Sequence, residues 1–245
     1  MVFARPERSG GGVSLPLFLV PSLPAGPDFR LDGPEGHHAA DVQRLTAGEA
    51  LLLSDGRGGL VRAAVTAARK GALELSLGDV EHVPAADPSI TVVQGIAKGE
   101  RGELAVQLLT EVGVDRIVPW QAARSIARWK DARPLERWRS TVREAVKQSR
   151  RPWLPEVTEA RTTRQLSLSG TVLVLHEEAT VPLSAVDLPS SGEITLVVGP
   201  EGGVAPEELA SFADATPVRL GREVLRTSTA GAAALSALSV RLGRW

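Results

Sequence analysis

The chain has 245 residues, 43% of them hydrophobic, enough for one large core or two smaller ones, and no apolar run of the length a membrane helix needs. A formal net charge of −1 argues against a protein that coats nucleic acid, and the absence of cysteine removes disulfides, thiolate metal sites and every sulfur nucleophile. The histidines, His37, His38, His82 and His176, lack the i,i+4 spacing of a helical metal pair, so no metal site is expected, and each reads first as an ordinary hydrogen-bonding residue.

The first fourteen residues, "MVFARPERSGGGVS", lack the apolar stretch and cleavage pattern of a signal peptide, which points to the cytoplasm. Residues 1–14 read as a flexible tail. Over residues 15–84 the pattern is short and alternating: "LPLFLV", "EALLLSD", "LVRAAVTAA" and "ALELSL" are separated by turn signals at Asp55-Gly56, Gly58-Gly59, Lys70-Gly71 and Gly78-Asp79. Such spacing predicts a small β-barrel, interrupted by one short helix at "HHAADVQRL". "VPAADPS" then reads as a linker.

Over residues 89–245 strands and helices alternate. "ITVVQGIA" predicts a buried strand; "GERGELAVQLLTEVGV" predicts a helix with an apolar stripe of Leu104, Leu108 and Val112, closed by Gly113; "DRIVPW" is the next strand. "RPLERWRSTVREAVKQSRR" predicts a helix apolar at Leu135, Trp138, Val142 and Ala145, with Arg139, Arg143 and Lys147 along another face. Between Arg124 and Arg151 there are ten Lys/Arg against three acids, a basic patch on a near-neutral chain. "TVLVLHEE", "EITLVVG" and "PVRL" are further strands, and an Ala-rich helix begins near Ser228. The second region is therefore α/β with a mostly parallel sheet.

Two segments in this region each run from strand through a glycine-bearing loop into a helix: "VVGPEGG" at Val197–Gly203 and "LGREVLRTSTA" at Leu220–Ala230. Neither matches a dinucleotide fingerprint or a P-loop. In the first, Pro206, Glu207 and Glu208 give an acidic first turn, which favours a neutral or cationic ligand over a phosphate. In the second, Gly221 permits a sharp turn, Leu225 offers an apolar lining and Arg226 a charge. Two such loops at the C-terminal edges of adjacent strands favour a ligand site.

These two motifs, with "KGERGE" at Lys98–Glu103, "TEVGVDRIVP" at Thr110–Pro119, Arg124-Ser125 and "EAVKQSRRPWLPEV" at Glu144–Val157, resemble the RsmE family of SPOUT methyltransferases, which act on 16S ribosomal RNA. The resemblance covers essentially all of the chain after Leu15. It implies a PUA-like RNA-binding barrel followed by an α/β methyltransferase domain with a trefoil knot, S-adenosyl-L-methionine bound in the knot, a homodimer, and N3 of a uridine in the decoding region of the small subunit as the target. It implies donor binding by Gly199, Pro200, Glu201, Gly202, Gly203, Leu220, Gly221, Leu225, Arg226 and Thr229. Arg44, Arg124, Arg143, Lys147 and Arg151 are the candidates for RNA contact, against a reading as surface charges. The sequence departs from the family at Asp41 (often Arg), Leu108 (often Lys) and Ser228 (often Glu), although Ser228 still suits a helix N-cap.

Methylation at carbon-5 of a pyrimidine usually requires a cysteine adduct, whereas N3 of uridine needs only to lose a proton; a chain without cysteine agrees with the N3 product. Arg226 suits stabilisation of the uridine anion, or contact with RNA phosphate or the methionine carboxylate. Glu201 suits a general base, or a cap on the amides of its own loop. The rival readings are another SPOUT enzyme acting on transfer RNA or ribose 2′-hydroxyls, and a non-catalytic RNA-binding protein.

Overall fold

A computed structural model describes residues 15–245, so the tail expected over residues 1–14 lies outside the described residues. The chain divides into two compact units between Val83 and Pro84. Among the described residues no helix is long and apolar enough to cross a membrane, and no three His, Asp or Glu side chains cluster as metal ligands.

The first unit is built from β1 (Leu17–Leu19), β2 (Asp28–Leu31), α1 (Gly33–His37, continued by a π-helical turn His38–Val42), β3 (Ala50–Ser54), β4 (Gly59–Arg69) and β5 (Ala72–His82). Their order is β1-β3-β4-β5-β2, with β1 parallel to β3 and the remaining ladders antiparallel. Alternation along β4 puts Val61, Ala63 and Val65 inside and leaves Arg62, Ala64 and Thr66 outside. Phe18 of edge strand β1 and Leu31 of edge strand β2 enter the same core as Leu53 and Leu73, so the sheet curls around a single interior.

Three sequence expectations change here. Strand β2, "DFRL", was not predicted, because four residues between prolines and glycines show no periodicity. Gly78-Asp79 is not a turn: Val61 pairs with Val80 but Ala63 with Leu77, so the pair forms a bulge inside β5, where a Cβ on Gly78 would lie 3.2 Å from the Arg62 carbonyl. The helix begins at Gly33, with Pro34 in its first turn, rather than at His37. Asp41, the departure from the family pattern, accepts a hydrogen bond from the Gly71 amide at 3.2 Å and pairs with His37 at 2.7 Å, bracing the helix against the β4–β5 turn. The Gly71 amide, and secondarily His37, hold its carboxyl below the usual value.

The second unit contains β6 (Ser89–Gly95), α2 (Arg101–Glu111), β7 (Arg116–Gln121), α3 (Arg133–Ser149), β8 (Glu156–Val157), β9 (Arg161–Thr162), β10 (Thr171–Leu175), β11 (Val181–Pro182), β12 (Glu193–Val198), α4 (Pro206–Ser211), β13 (Thr216–Arg219) and α5 (Thr227–Arg241). The sheet runs β11-β13-β10-β12-β6-β7-β8, with β9 on β7, and every ladder is parallel. Val93, Val174 and Val197 point to one face, where Trp120 and Phe212 close a core beneath α4; α2, α3 and α5 pack together with the opposite face.

Helix α3 buries Leu135, Trp138, Val142 and Ala145 as the periodicity predicts. In α2 the buried positions are instead Ala105, Val106 and Leu109, while Leu104 is 43% exposed: small Ala105 and Gly102 sit where helices approach closely, and the larger leucine stands beside the contact. The N-cap of α5 is Arg226, not Ser228, which is buried in the first turn. In the Ala-rich run, Gly231 and Ala234 face inward; a Cβ on Gly231 would meet Leu109 at 3.2 Å and Val198 at 3.3 Å. At these two positions the close packing is within the chain, while Ala233 on the other side of the helix is exposed.

Candidate functional site

Parallel strands end together, and the C-terminal ends of β13, β10 and β12 stand side by side in that order. The two glycine loops thus leave strands separated by β10, not adjacent ones. The segment after β10 supplies a third wall, with Leu175, His176 and Glu177 lining the cleft. Sequence reasoning passed over His176 as an ordinary histidine; its place directly after "TVLVL" was the available signal.

The cleft has a volume of about 440 Å³, within the range of small-molecule sites of roughly 300–1,000 Å³. Gly199, Pro200, Glu201, Gly202, Gly203, Leu220, Gly221, Leu225 and Arg226 all line it. Thr229 does not: it faces outward, its hydroxyl donating to the Arg226 carbonyl at 3.2 Å, because one helical turn rotates it off the cleft. Beyond the expected set, Val218, Arg219, Arg222, Thr227 and Arg101 also contribute.

The two glycine loops use glycine differently. Gly203 adopts φ +71°, and a Cβ on Gly202 would sit 2.9 Å from the Cβ of Arg124, so one glycine supplies a left-handed turn and the other a close approach. Gly221 does neither; its nearest neighbour would be Glu223 Oε2 at 3.5 Å, ordinary contact. Where the first loop crosses the sheet, a Cβ on Gly95 would fall 2.5 Å from the Pro200 nitrogen, so the end of β6 admits only glycine.

The first loop is anchored by its acids. Glu201 Oε1 accepts from the Lys98 amide at 3.1 Å and lies 3.6 Å from Arg101, so it caps the neighbouring loop, not its own. Glu208, 5% exposed, accepts from the Ala123 amide at 2.8 Å and the Thr163 hydroxyl at 2.5 Å, and closes the start of α4 through the Ala205 amide. It points into the fold, so the acidic first turn does not bear on the ligand as expected. Arg124 donates to the Gly202 carbonyl at 3.2 Å. Thr227 joins three segments: its hydroxyl donates to the Gly199 carbonyl at 2.6 Å and accepts from Gln94 Nε2 at 3.2 Å.

The second loop leaves β13, passes the ends of β10 and β12, and delivers α5 against Gln94 and Gly199. Among the described residues the Arg226 side chain makes no hydrogen bond or ion pair and lines the cleft.

The basic patch is largely consumed within the fold. Arg133 pairs with Asp131, Arg137 with Glu103, Arg139 with Glu136 and Glu159, and Lys147, whose side chain is only 12% exposed, with Glu144. Arg151 is a buried brace: it donates to the carbonyls of Thr110 at 2.8 Å and Val114 at 2.7 Å, satisfying the end of α2. Burial pushes its guanidinium down to about 10, still charged at neutral pH. Arg151 thus has a bracing role within the fold, and Lys147 is engaged by the exposed Glu144. Arg143 is exposed on α3; Arg44 is exposed on the first unit with φ +59°.

The chain matches the RNA methyltransferase domain family over residues 85–239 and the RNA methyltransferase PUA domain family over residues 31–78. It is 46% identical over 243 residues to ribosomal RNA small subunit methyltransferase E of Mycobacterium bovis, covering 94% of this chain and 93% of that protein. The chain belongs to the ribosomal RNA small subunit methyltransferase E family. It is thus an RNA methyltransferase with a PUA domain before the methyltransferase domain. The Bacillus subtilis member is 29% identical, covering 87% of this chain and 90% of that one. The crystal structure of the Neisseria gonorrhoeae enzyme bound to S-adenosyl methionine superposes with a TM-score of 0.84 at 29% identity, covering 93% of this chain and 98% of that one.

Proposed function

We propose that the protein uses S-adenosylmethionine to methylate N3 of one uridine in the decoding region of 16S rRNA within the small ribosomal subunit. The observation that carries this reading is the cleft at the ends of β10, β12 and β13, whose contents suit that donor. Glu177, Glu201 and Glu223 offer negative charge to a sulfonium, Val198, Val218, Leu220 and Leu225 an apolar lining for an adenine, and Arg219 and Arg222 a partner for a carboxylate. Glycine at 199 and 202 lets Val204 and Arg124 pack directly on the backbone of the first loop, which fixes that wall of the cleft.

When bound, the donor supplies an electrophilic methyl group, so the protein has mainly to hold two reactants in line and exclude water. Arg226 stabilises the negative charge that develops on the uracil as N3 loses its proton. Glu201, held by Lys98 and Arg101, positions the first loop, and the proton passes to solvent through the open cleft. Arg44, Arg124 and Arg143 contact RNA phosphate. The trefoil knot implied by the family is supported by the path of the second loop across β10 and β12 to α5. Exposed Val224 (74%) before α5 and Val240 (61%) in its last turn support a homodimer through this unit. The reading places the enzyme in the cytoplasm, with its ribosomal substrate.

Mass spectrometry of nucleosides from small subunits incubated with enzyme and labelled donor tests the reaction. N3-methyluridine is the expected product; label confined to 2′-O-methyl or carbon-5 products refutes it. A monomer by light scattering at micromolar concentration, with full activity, refutes the dimer.

A further inference from the structure

A second hollow lies beside the cleft, between the turn that starts α2, the segment before α3 and the first turns of α3, with a volume of about 390 Å³. Its floor is Trp138, 3% exposed, whose ring meets Trp129 edge-on at 5.0 Å and 90°. Among the described residues the Trp138 indole N–H makes no hydrogen bond and is not sealed from solvent, and a Cβ on Gly102 would come within 3.2 Å of it, so glycine keeps that edge clear. At the rim, Arg128 makes no ion pair or hydrogen bond among the described residues, whereas Arg137 is bound to Glu103 at 2.8 Å and serves as wall.

The same two chain segments wall both cavities. Arg101 and Arg124 face the cleft; Gly102 and Ala127 face the hollow. A strand whose reacting base occupied the cleft would carry its next nucleotide over these segments.

We propose that this hollow receives a nucleobase of the RNA substrate adjacent to the methylated one. The base packs against Trp129, accepts a hydrogen bond from the Trp138 indole through a carbonyl or ring nitrogen, and leaves its phosphate to Arg128. Aromatic surface, an unspent donor and an unpaired cation together match a single-stranded nucleotide, which is recognised by stacking and base-edge hydrogen bonds. An apolar protein segment would leave both the donor and the cation unanswered. The proposal rests on the RNA methyltransferase reading, and makes the pair Trp129 and Trp138 a determinant of which nucleotide may flank the target.

The test uses full-length Trp129→Leu, Arg128→Ala and Trp138→Phe with purified small ribosomal subunits. Filter retention measures affinity, transfer kinetics give KM and kcat, and calorimetry with S-adenosylhomocysteine reports the cleft. Trp129→Leu should weaken subunit binding about tenfold, within the range of a lost base–aromatic stack. Arg128→Ala should weaken it severalfold and flatten its salt dependence. In both, kcat at saturation and S-adenosylhomocysteine affinity should match the parent. Trp138→Phe, which keeps the ring and removes the donor, should erase the parent's preference among subunits differing in the base beside the target. Parent-like subunit affinity in both Trp129→Leu and Arg128→Ala overturns the proposal. So does a change of oligomeric state at unchanged RNA affinity, which would assign the hollow to a second copy of the chain. If the parent transfers no methyl group, the enzymatic reading fails, and filter retention still decides on the hollow.

Discussion

Thr227 is where the cleft can be loosened without making a hole. Its hydroxyl donates to the Gly199 carbonyl at 2.6 Å and accepts from Gln94 Nε2 at 3.2 Å, tying the first loop, the end of β6 and the start of α5. Thr227→Val keeps the shape and removes both bonds. Gln94, with no exposed surface, retains the Gly95 and Thr227 carbonyls as acceptors, 3.2 and 3.4 Å away, but the Gly199 carbonyl loses a short bond in a half-buried setting. A lost bond of this kind with a stranded partner costs about 1–3 kcal/mol, so urea unfolding of the second unit should show a loss of about 2 kcal/mol. With Gly199 released, S-adenosylhomocysteine should bind at least about fivefold more weakly by calorimetry, an effect of about 1 kcal/mol. Thr227→Ser, which keeps the hydroxyl, should stay near the parent in both assays. A valine variant with parental stability and parental affinity would refute the view that this hydroxyl holds the loop.

Gly203→Ala should cost about 1–2 kcal/mol, because an L-residue is strained at its left-handed φ of +71°, whereas Gly221→Ala, which would meet only an ordinary contact with Glu223 and needs no such φ, should bind S-adenosylhomocysteine like the parent by calorimetry. Arg151→Met should lower unfolding stability by about 2 kcal/mol, because the Val114 carbonyl loses its partner while the Thr110 carbonyl keeps the Gly113 amide, with RNA affinity per folded molecule unchanged in filter retention. Arg226→Ala should depress kcat more than S-adenosylhomocysteine affinity, and in the parent the rate should rise with pH as N3 deprotonates. The Asp41 carboxyl is held below its ordinary value of 3.8, so the stability it contributes is present above that pH and is lost as pH falls through the lowered value; Asp41→Asn should flatten that part of an acid-denaturation curve.

The α/β alternation of the second unit was readable because parallel buried strands such as "ITVVQGIA" and "EITLVVG" are continuous apolar runs set between amphipathic helices. What stayed hidden was pairing. Nothing local in "TVLVLHEE" says that it lies between the strands ahead of the two glycine loops, so His176 and Glu177 could not be placed in the cleft. Arg151 looked like its neighbours in a basic run, and only the fold shows that it is bound by the Thr110 carbonyl of α2 and the Val114 carbonyl just beyond it. The α2 stripe was misplaced because a leucine weighs more than an alanine in any periodicity, while a close helix contact selects the smaller residue.

The two main walls of the cleft are held in different ways, and the difference follows from their side chains. Glu201 binds the Lys98 amide, Glu208 the Ala123 amide, and Arg124 returns a bond to the Gly202 carbonyl, so the first glycine loop is fastened to the ends of β6 and β7 at several points. Across residues 220–225 no hydrogen bond of backbone or side chain is made among the described residues, and the segment is held only where β13 ends and where α5 begins. Its Arg222, Glu223 and Arg226 therefore keep their full capacity for a ligand, and ordering them falls to binding. That division suits a bisubstrate site. The fixed wall sets where the donor sits relative to the sheet, and the second wall, carrying the charges, completes the site only when there is something to enclose.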